Sequence, residues 1–408
     1  MVSTLQGGDM AHGGFSKTRL ARMHQVMAAH VEKGTVVGAV TLLSRHGETV
    51  VDTLGYQDLA RRDPMRRDTI FRIASMTKPI TAVAAMILVE ECRLSLDAPL
   101  DSFLPELANR RVLKRIDGPL SETEPANRPI TLRDLLTFRM GLGLIMAPPG
   151  TYPIQKVMEE HELMSLSPSP PHAPDEWMRR LGSLPLIHQP GERWMYHYGS
   201  DTLGVLIARV TGQPFATFLK ERIFEPLGMR DTGFFVPPAK LGRFASCYAP
   251  NPTNGALERT DDSQDSKWSR PPVFPAGGGG LVSTIDDYCA FGRMMLNRGK
   301  LGSERILAHP TVQLMLTDQI TPAVKANSPF SPGFWEGRGW GLGLSVITER
   351  LDTATGPGQF GWSGAFGSDW VSDSVEDQIS ILMIQRFNMG PGKIHEDFRT
   401  LAYQSLDD

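Results

Sequence analysis

Cysteine is scarce in this sequence. The 408 residues include three cysteines, Cys92, Cys247 and Cys289, which lie far apart and form no C-x-x-C pair. A disulfide framework needs an even set of cysteines, and a structural zinc site needs closely spaced thiolates or imidazoles. The sequence therefore predicts neither kind of site, and we interpret each cysteine as a small buried apolar residue.

Excess charge and long apolar runs are missing as well. The formal net charge is -3 and the isoelectric point is about 6.4, so the composition gives no reason to expect a nucleic acid or a membrane as partner. No run of about 18 apolar residues occurs, and the first residues lack a basic region followed by an apolar one. We therefore expect a cytoplasmic protein, unless an export signal was removed, that acts on a small molecule without strong charge.

Several motifs of common enzyme classes are absent. There is no G-x-S-x-G, so a nucleophile elbow of the α/β-hydrolase kind is excluded, and the ten histidines form no H-E-x-x-H pair. No phosphate-binding G-x-x-x-x-G-K-[ST] occurs either. We interpret the glycines of residues 276–280 as a tight turn that precedes a helix capped by Ser283 or Thr284.

The most informative motif is Ser75-x-x-Lys78 at the start of an apolar helix. Residues three apart share a helix face, so the Lys78 amine can reach the Ser75 hydroxyl and take part in its deprotonation. Pro79 is tolerated in the first turn of a helix, which places Ser75 at the helix start. An S-x-x-K match occurs by chance about once in a chain of this length, but a lysine buried without a function would be costly.

The pattern of apolar residues predicts an α/β (α+β) fold in which both chain ends build one antiparallel sheet. A helix over residues 16–33 precedes a β-hairpin over 36–54, and a last helix covers 394–404. Four further strands are predicted late in the chain, at residues 341–347, 358–362, 369–372 and 379–384. We expect a sheet domain of residues 15–95 and 275–408, a mainly helical domain of residues 96–274 with a proline-rich active-site cover, and a loose N-terminus at 1–14.

Together these motifs resemble the serine β-lactamase and penicillin-binding-protein superfamily, and most of all its family VIII carboxylesterases. The resemblance rests on Ser75-x-x-Lys78, on Tyr196-His-Tyr-Gly-Ser-Asp201 and on Trp362-Ser363-Gly364. It implies a β-lactamase-like fold, an antiparallel sheet flanked by helices plus a mainly helical domain. The spacing from Pro190-Gly191 favours Tyr196 over Tyr198 as the second catalytic group. Without the resemblance, a packing role for Tyr196 in an aromatic cluster is the simpler interpretation.

The resemblance also implies roles for individual residues. Ser75, Lys78 and Tyr196 would be catalytic, with Lys78 and Tyr196 acting as a coupled base. The backbone N–H groups of Ser75 and Ala365 would form the oxyanion hole. Substrate binding would involve Asp201 and the motif Trp362, Ser363 and Gly364. Trp362 stands where many β-lactamases have a lysine that binds a carboxylate, so this position favours neutral acyl groups.

The resemblance implies hydrolysis of a small-molecule carboxylic ester, with a short acyl group, through an acyl-Ser75 intermediate. No metal or other cofactor is needed for this chemistry, and the sequence does not indicate the oligomeric state. Two alternatives remain open: a β-lactam or amide hydrolase or an acyltransferase that uses the same site, and a binding protein that kept the fold but lost the chemistry.

Overall fold

A computed structural model describes residues 13–163, 170–387 and 392–407 of the chain. Most of the predicted loose N-terminus (residues 1–12) and residues 165–169 of the proline-rich loop lie outside the described residues. The helices within the described ranges are α1 (Lys17–Glu32), α2 (Thr77–Glu90), α3 (Leu132–Leu136), α4 (Pro153–Glu160), α5 (Pro174–Ser183), α6 (Tyr198–Thr211), α7 (Phe215–Leu219), α8 (Glu225–Leu227), α9 (Ile285–Leu296), α10 (His309–Met315), α11 (Pro322–Ala326) and α12 (Lys393–Gln404).

The strands are β1 (Gly38–Arg45), β2 (Glu48–Asp58), β3 (Asp63–Pro64), β4 (Phe71–Arg72), β5 (Arg111–Leu113), β6 (Thr123–Pro125), β7 (Cys247–Pro250), β8 (Leu257–Asp261), β9 (Val282–Ser283), β10 (Lys300–Leu301), β11 (Glu304–Arg305), β12 (Arg338–Trp340), β13 (Ser345–Ile347), β14 (Gln359–Ser363), β15 (Asp369–Asp373) and β16 (Gln378–Ile384). Eight of them form one sheet in the order β12-β13-β14-β15-β16-β1-β2-β3. Antiparallel pairing of β1 with β16 joins the two chain ends, as the sequence predicted.

Helices cover both faces of this sheet. Helix α9 packs against β15 and β16 on one face, while α1 and α12 contact each other and lie against β2 and β16 on the other. Every residue of β16 is buried, as expected for a strand that is covered on both faces. The predicted antiparallel sheet flanked by helices is thereby confirmed, while the domain boundaries at residues 95 and 275 stay a prediction.

The predicted strand over residues 341–347 is too long. Only Ser345–Ile347 belongs to β13, and the separate strand β12 (Arg338–Trp340) precedes it. The chain turns between them at Gly343, whose φ of 86° is left-handed, and a Cβ there would lie 2.3 Å from the Ala82 Cβ in α2. The turn therefore needs a glycine because it passes directly over the helix that follows Ser75.

The turn at residues 276–280 is formed as predicted. Gly280 N–H donates to Ala276 O at 2.9 Å, and Thr284 caps α9 by accepting from Asp287 N–H at 3.3 Å. No helix in the described ranges combines the length and the apolar character that a bilayer crossing needs.

Candidate active site

Ser75 lies in the short 3-10 turn Ala74–Met76 that leads into α2. The residue before it, Ala74, has φ of 41°, a left-handed conformation that costs a residue with a Cβ about 1 to 2 kcal/mol. Helix α2 is buried from Thr77 to Leu88, which fixes its position in the core. The sequence prediction that Ser75 lies at the start of a buried helix matches this placement.

Lys78 reaches Ser75 from the first turn of α2. Its Nζ lies 3.0 Å from Ser75 Oγ and also donates a hydrogen bond to the backbone oxygen of Gly278. The side chain is almost fully buried, at 1% relative exposure. Thr81, one turn later, donates to Gly277 O at 2.8 Å, so the turn at residues 276–280 is tied to the same helix face. Lys78 is thus held in one orientation beside the serine.

Tyr196 lies beside Lys78, but its ring, rather than its hydroxyl, is the part near the lysine amine. The Lys78 Nζ is 4.4 Å from the ring centroid, and the Tyr196 hydroxyl accepts a hydrogen bond from Trp362 Nε1 at 2.9 Å. Within the described residues no hydrogen bond joins this hydroxyl to Ser75 or Lys78. The neighbouring Tyr198 is 2% exposed and belongs to the main core, where burial raises the pKa of its phenol. Tyr198 is therefore part of the core, and the role of Tyr196 as the second catalytic group stays a prediction.

Asp201 is buried close to Lys78. Its Oδ1 accepts from Gly278 N–H at 2.7 Å, so the backbone of one residue contacts Asp201 through its N–H and Lys78 through its oxygen. Burial raises the pKa of Asp201 to about 6, although the Lys78 charge and the Gly278 hydrogen bond act in the opposite direction. The carboxyl is therefore ionised at neutral pH. The predicted contact of Asp201 with substrate stays a prediction.

His197, which follows Tyr196, is a neutral imidazole at neutral pH. Burial, with a smaller effect of the Lys78 charge, lowers its pKa to about 3. Its Nδ1 lies 3.9 Å from Asp201 Oδ2, but a neutral ring at this distance forms no ion pair with the carboxylate. His197 therefore does not neutralise the charge of Asp201.

The predicted oxyanion-hole donors lie on either side of a close backbone contact. Gly364 passes Ile73 so closely that a Cβ on the glycine would lie 2.4 Å from Ile73 O, which brings the end of β14 against the turn that carries Ser75. Among the described residues, neither the Ser75 nor the Ala365 N–H has a hydrogen-bond partner. Both remain available as donors to a developing oxyanion.

The side chains of Trp362 and Ser363 make different contacts. Trp362 is partly exposed and belongs to an aromatic cluster with Tyr196, Phe138, Trp194, Phe330, Phe334, Trp335 and Trp340. The Ser363 hydroxyl instead donates to Asp369 Oδ1 at 2.5 Å, and Arg399 makes a bidentate ion pair with the same carboxylate. Trp362 therefore offers an apolar surface, while the Ser363 side chain is held by its hydrogen bond to Asp369.

Sequence reasoning missed two parts of this site. Gly278 supplies the backbone group between Lys78 and Asp201, and the glycine run was the only signal for it. The aromatic wall of Phe330, Phe334 and Trp335 was not predicted, although three aromatic residues within six positions mark it in the sequence. In the described ranges no three His, Cys, Asp or Glu side chains lie close enough to hold a metal ion.

The proteins that this chain resembles are consistent with the fold described above. The family model described as Beta-lactamase matches residues 23–404. Protein Rv1367c of Mycobacterium tuberculosis (strain ATCC 25618 / H37Rv) is 39% identical over 364 residues, which are 87% of each chain. Esterase EstB of Burkholderia gladioli is 32% identical over 389 residues, which are 89% of each chain.

A solved structure shows the same architecture. EstCE1, described as a hydrolase with promiscuous acyltransferase activity, superposes with a TM-score of 0.77 at 24% identity, covering 95% of this chain and 99% of its own. This likeness establishes the fold, while the family assignment rests on the match over residues 23–404. The chain therefore belongs to the Beta-lactamase family of serine hydrolases, and an esterase is among its relatives.

Proposed function

We propose that this chain is a family VIII carboxylesterase that cleaves short-acyl esters through an acyl-Ser75 intermediate. The observation that carries the proposal is the 3.0 Å contact between Lys78 Nζ and Ser75 Oγ in a site where the lysine is almost fully buried. An amine at that distance can accept the hydroxyl proton as the oxygen attacks. The similarity to esterase EstB supports an ester as substrate.

In the proposed mechanism, Ser75 Oγ attacks the ester carbonyl carbon while its proton passes to the Lys78–Tyr196 pair. The carbonyl oxygen takes up negative charge next to the N–H groups of Ser75 and Ala365, each donor being worth roughly 3 to 4 kcal/mol. The bond to the alcohol oxygen breaks, and the alcohol leaves with the proton that the pair returns. Water then attacks acyl-Ser75 by the same route, so the acid is released and the hydroxyl is restored.

The pair needs correct placement of the Lys78 amine. Gly278 O accepts from the amine, and Asp201 accepts from the N–H of the same residue, so the carboxylate acts on Ser75 through Gly278 and Lys78. Asp201 is therefore a positioning residue in this proposal, and its negative charge also favours the protonated state that Lys78 reaches during catalysis.

We expect the pH profile to report on Asp201. As pH falls through about 6, the carboxyl gains a proton and its charge facing Lys78 is lost, so kcat/KM of the wild type should decline on this acid side. His197 stays neutral there, because its pKa is about 3. The Asp201→Asn variant keeps an acceptor for Gly278 N–H but has no charge to lose.

The Asp201→Asn variant should therefore lack the decline near pH 6 and have kcat lowered by about tenfold or more at neutral pH. Asp287→Asn is the matched control. Asp287, in α9, is another carboxyl whose pKa is raised by burial, but it accepts a hydrogen bond from Thr232 and lies outside the site. An unchanged acid limb in Asp201→Asn would show that Asp201 does not act on the pair.

The acyltransferase alternative uses the same acyl-Ser75 with an alcohol in place of water. The described activity of EstCE1 favours it as a second candidate. Turnover of p-nitrophenyl butyrate beside nitrocefin, with and without added butanol, ranks the three activities. We expect fast ester hydrolysis, little nitrocefin hydrolysis and butyl butyrate as a minor product; rapid nitrocefin turnover without ester hydrolysis would contradict the proposal. Action in the cytoplasm, on a small ester and without a cofactor, stays a prediction.

A further inference from the structure

The proposed oxyanion-hole donor Ala365 lies in the tight turn that joins β14 to β15. Gly367 N–H donates to Gly364 O at 2.9 Å, and Gly364 N–H donates to Ser368 O at 2.7 Å. These two hydrogen bonds close a short hairpin loop, and Gly367 has the left-handed φ of 85° that such a loop needs at its last position. Ala365 itself is exposed. The direction of its N–H therefore depends on how the whole turn is held.

A buried histidine of the last helix, α12, contacts the backbone of this turn. His395 Nε2 lies 2.8 Å from Gly367 O, and the residue is only 4% exposed. Since a carbonyl oxygen can only accept, Nε2 carries the proton and donates. Nδ1 accepts from Gly392 N–H at 3.3 Å, which requires the same neutral form of the ring. Both ring nitrogens are therefore used, one for the start of the helix and one for the turn.

The same helix contacts the base of the turn through Arg399. This side chain makes its bidentate ion pair with Asp369, and Asp369 also accepts from the Ser363 hydroxyl. Ser363 and Asp369 are the last pair of the β14–β15 ladder before the turn. Burial acts to raise the pKa of Asp369, but the Arg399 charge and the hydrogen bonds outweigh it and lower the pKa, so the carboxyl is ionised at neutral pH. Because His395 and Arg399 are four residues apart, they share one face of α12.

The turn lies between α12 and the residues that carry Ser75. At its first residue, Gly364, a Cβ would come within 2.4 Å of Ile73 O, so the turn already touches the backbone that leads to Ser75. Helix α12 is fixed by apolar contacts of its own, because Ile394 and Phe398 are buried in a cluster with residues of α1, β1 and β16. A loss of the His395 hydrogen bond should therefore release the turn and leave the helix in place.

We infer that His395 is a positioning residue for ester hydrolysis: its hydrogen bond to Gly367 O holds the turn so that the Ala365 N–H points at the oxyanion formed during attack by Ser75. The inference rests on the proposed esterase function. A donor of this kind acts only when it lies about 2.7 to 3.1 Å from the oxyanion, so a small displacement of the turn weakens it. The oxyanion exists in the transition state and not in the bound ester, so the loss should appear in kcat more than in KM.

Two substitutions in the full chain separate the two ring nitrogens. In His395→Asn the amide oxygen can still accept from Gly392 N–H, but no donor reaches Gly367 O; in His395→Gln the amide nitrogen can take the place of Nε2 and donate. Each variant is assayed with p-nitrophenyl butyrate and with p-nitrophenyl thionobutyrate, in which sulfur replaces the carbonyl oxygen. Sulfur is a weak acceptor, so the thionoester gains little from the Ala365 N–H.

We expect His395→Asn to lower kcat for the oxygen ester by about tenfold and to change its KM, and the thionoester kcat, by less than about threefold. His395→Gln should keep most of the wild-type ratio between the two esters. His30→Asn is the matched control, because His30 Nε2 lies 2.9 Å from Asp397 Oδ2 on the same helix but does not contact the turn. It should leave the ratio unchanged, even where thermal unfolding shows a loss of stability. Should His395→Asn fail to fold, His395→Phe, which fills the ring volume without a donor, replaces it.

A histidine that only stabilises the fold would affect both esters alike. The inference is overturned if the variant without a donor keeps the wild-type ratio of the two kcat values, or if His395→Gln loses that ratio as fully as His395→Asn. Hydrolysis of p-nitrophenyl butyrate that depends on Ser75 would then still support the proposed function. A wild type that hydrolyses neither ester would overturn both together.

Discussion

Lys78→Met should lower kcat for ester hydrolysis by about 10² to 10⁴-fold, the usual contribution of a positioned general base. Methionine keeps most of the length of the buried stem, so the packing of α2 should survive while the amine that lies 3.0 Å from Ser75 Oγ is lost. Stopped-flow or steady-state turnover of p-nitrophenyl butyrate measures the effect, and thermal unfolding checks the fold.

The control for this variant is Thr81→Val, which changes another buried polar side chain on the same face of α2 and removes a hydrogen bond to Gly277 O. It should cost stability, by about 1 kcal/mol for the lost hydrogen bond, but far less activity than Lys78→Met. If Lys78→Met kept more than about a tenth of the wild-type kcat, proton transfer through Lys78 would not be the source of serine reactivity.

Tyr196→Phe should also lower kcat by at least about 100-fold, because in the proposed mechanism the phenol shares the proton with Lys78 during attack and collapse. The substitution removes the acceptor of the Trp362 Nε1 hydrogen bond as well, so Trp362→Phe is needed beside it. Trp362→Phe loses the same hydrogen bond but keeps the phenol, and it should change kcat by less than tenfold. Steady-state kinetics of all three proteins separates the two effects.

Tyr198→Phe provides the test of register for the same motif. Tyr198 is buried in the core and stacks edge-on with Trp177 at 6.3 Å between ring centroids, so loss of its hydroxyl should leave turnover nearly unchanged. A fully active Tyr196→Phe together with an inactive Tyr198→Phe would reverse the assignment.

The parts of this account that the sequence could predict are local. Three-residue spacing on a helix places Lys78 beside Ser75, and alternating or continuous apolar runs mark the strands of the sheet. These features depend on neighbours along the chain, so α2 and β16 were found from their own residues. The pairing of both chain ends followed from where the strands cluster.

The contacts that complete the site join distant residues. Gly278 is 200 residues from Lys78 and 77 from Asp201, so no local pattern indicates that the backbone of one residue connects them. The Trp362–Tyr196 hydrogen bond spans 166 residues, and the orientation of the Tyr196 ring toward Lys78 depends on the aromatic side chains packed around it. Such contacts arise from tertiary packing, which only the folded chain determines.

Capture of the acyl-enzyme is the most direct test of the central claim that Lys78 makes Ser75 a nucleophile. The protein is mixed with excess p-nitrophenyl butyrate, quenched in acid within milliseconds and digested, and peptides that contain Ser75 are analysed by mass spectrometry. The account predicts a butyryl group on Ser75 in the wild type, none in Ser75→Ala, and far slower labelling in Lys78→Met. Ester hydrolysis that continues in Ser75→Ala, or butyryl groups only on other residues, would contradict it.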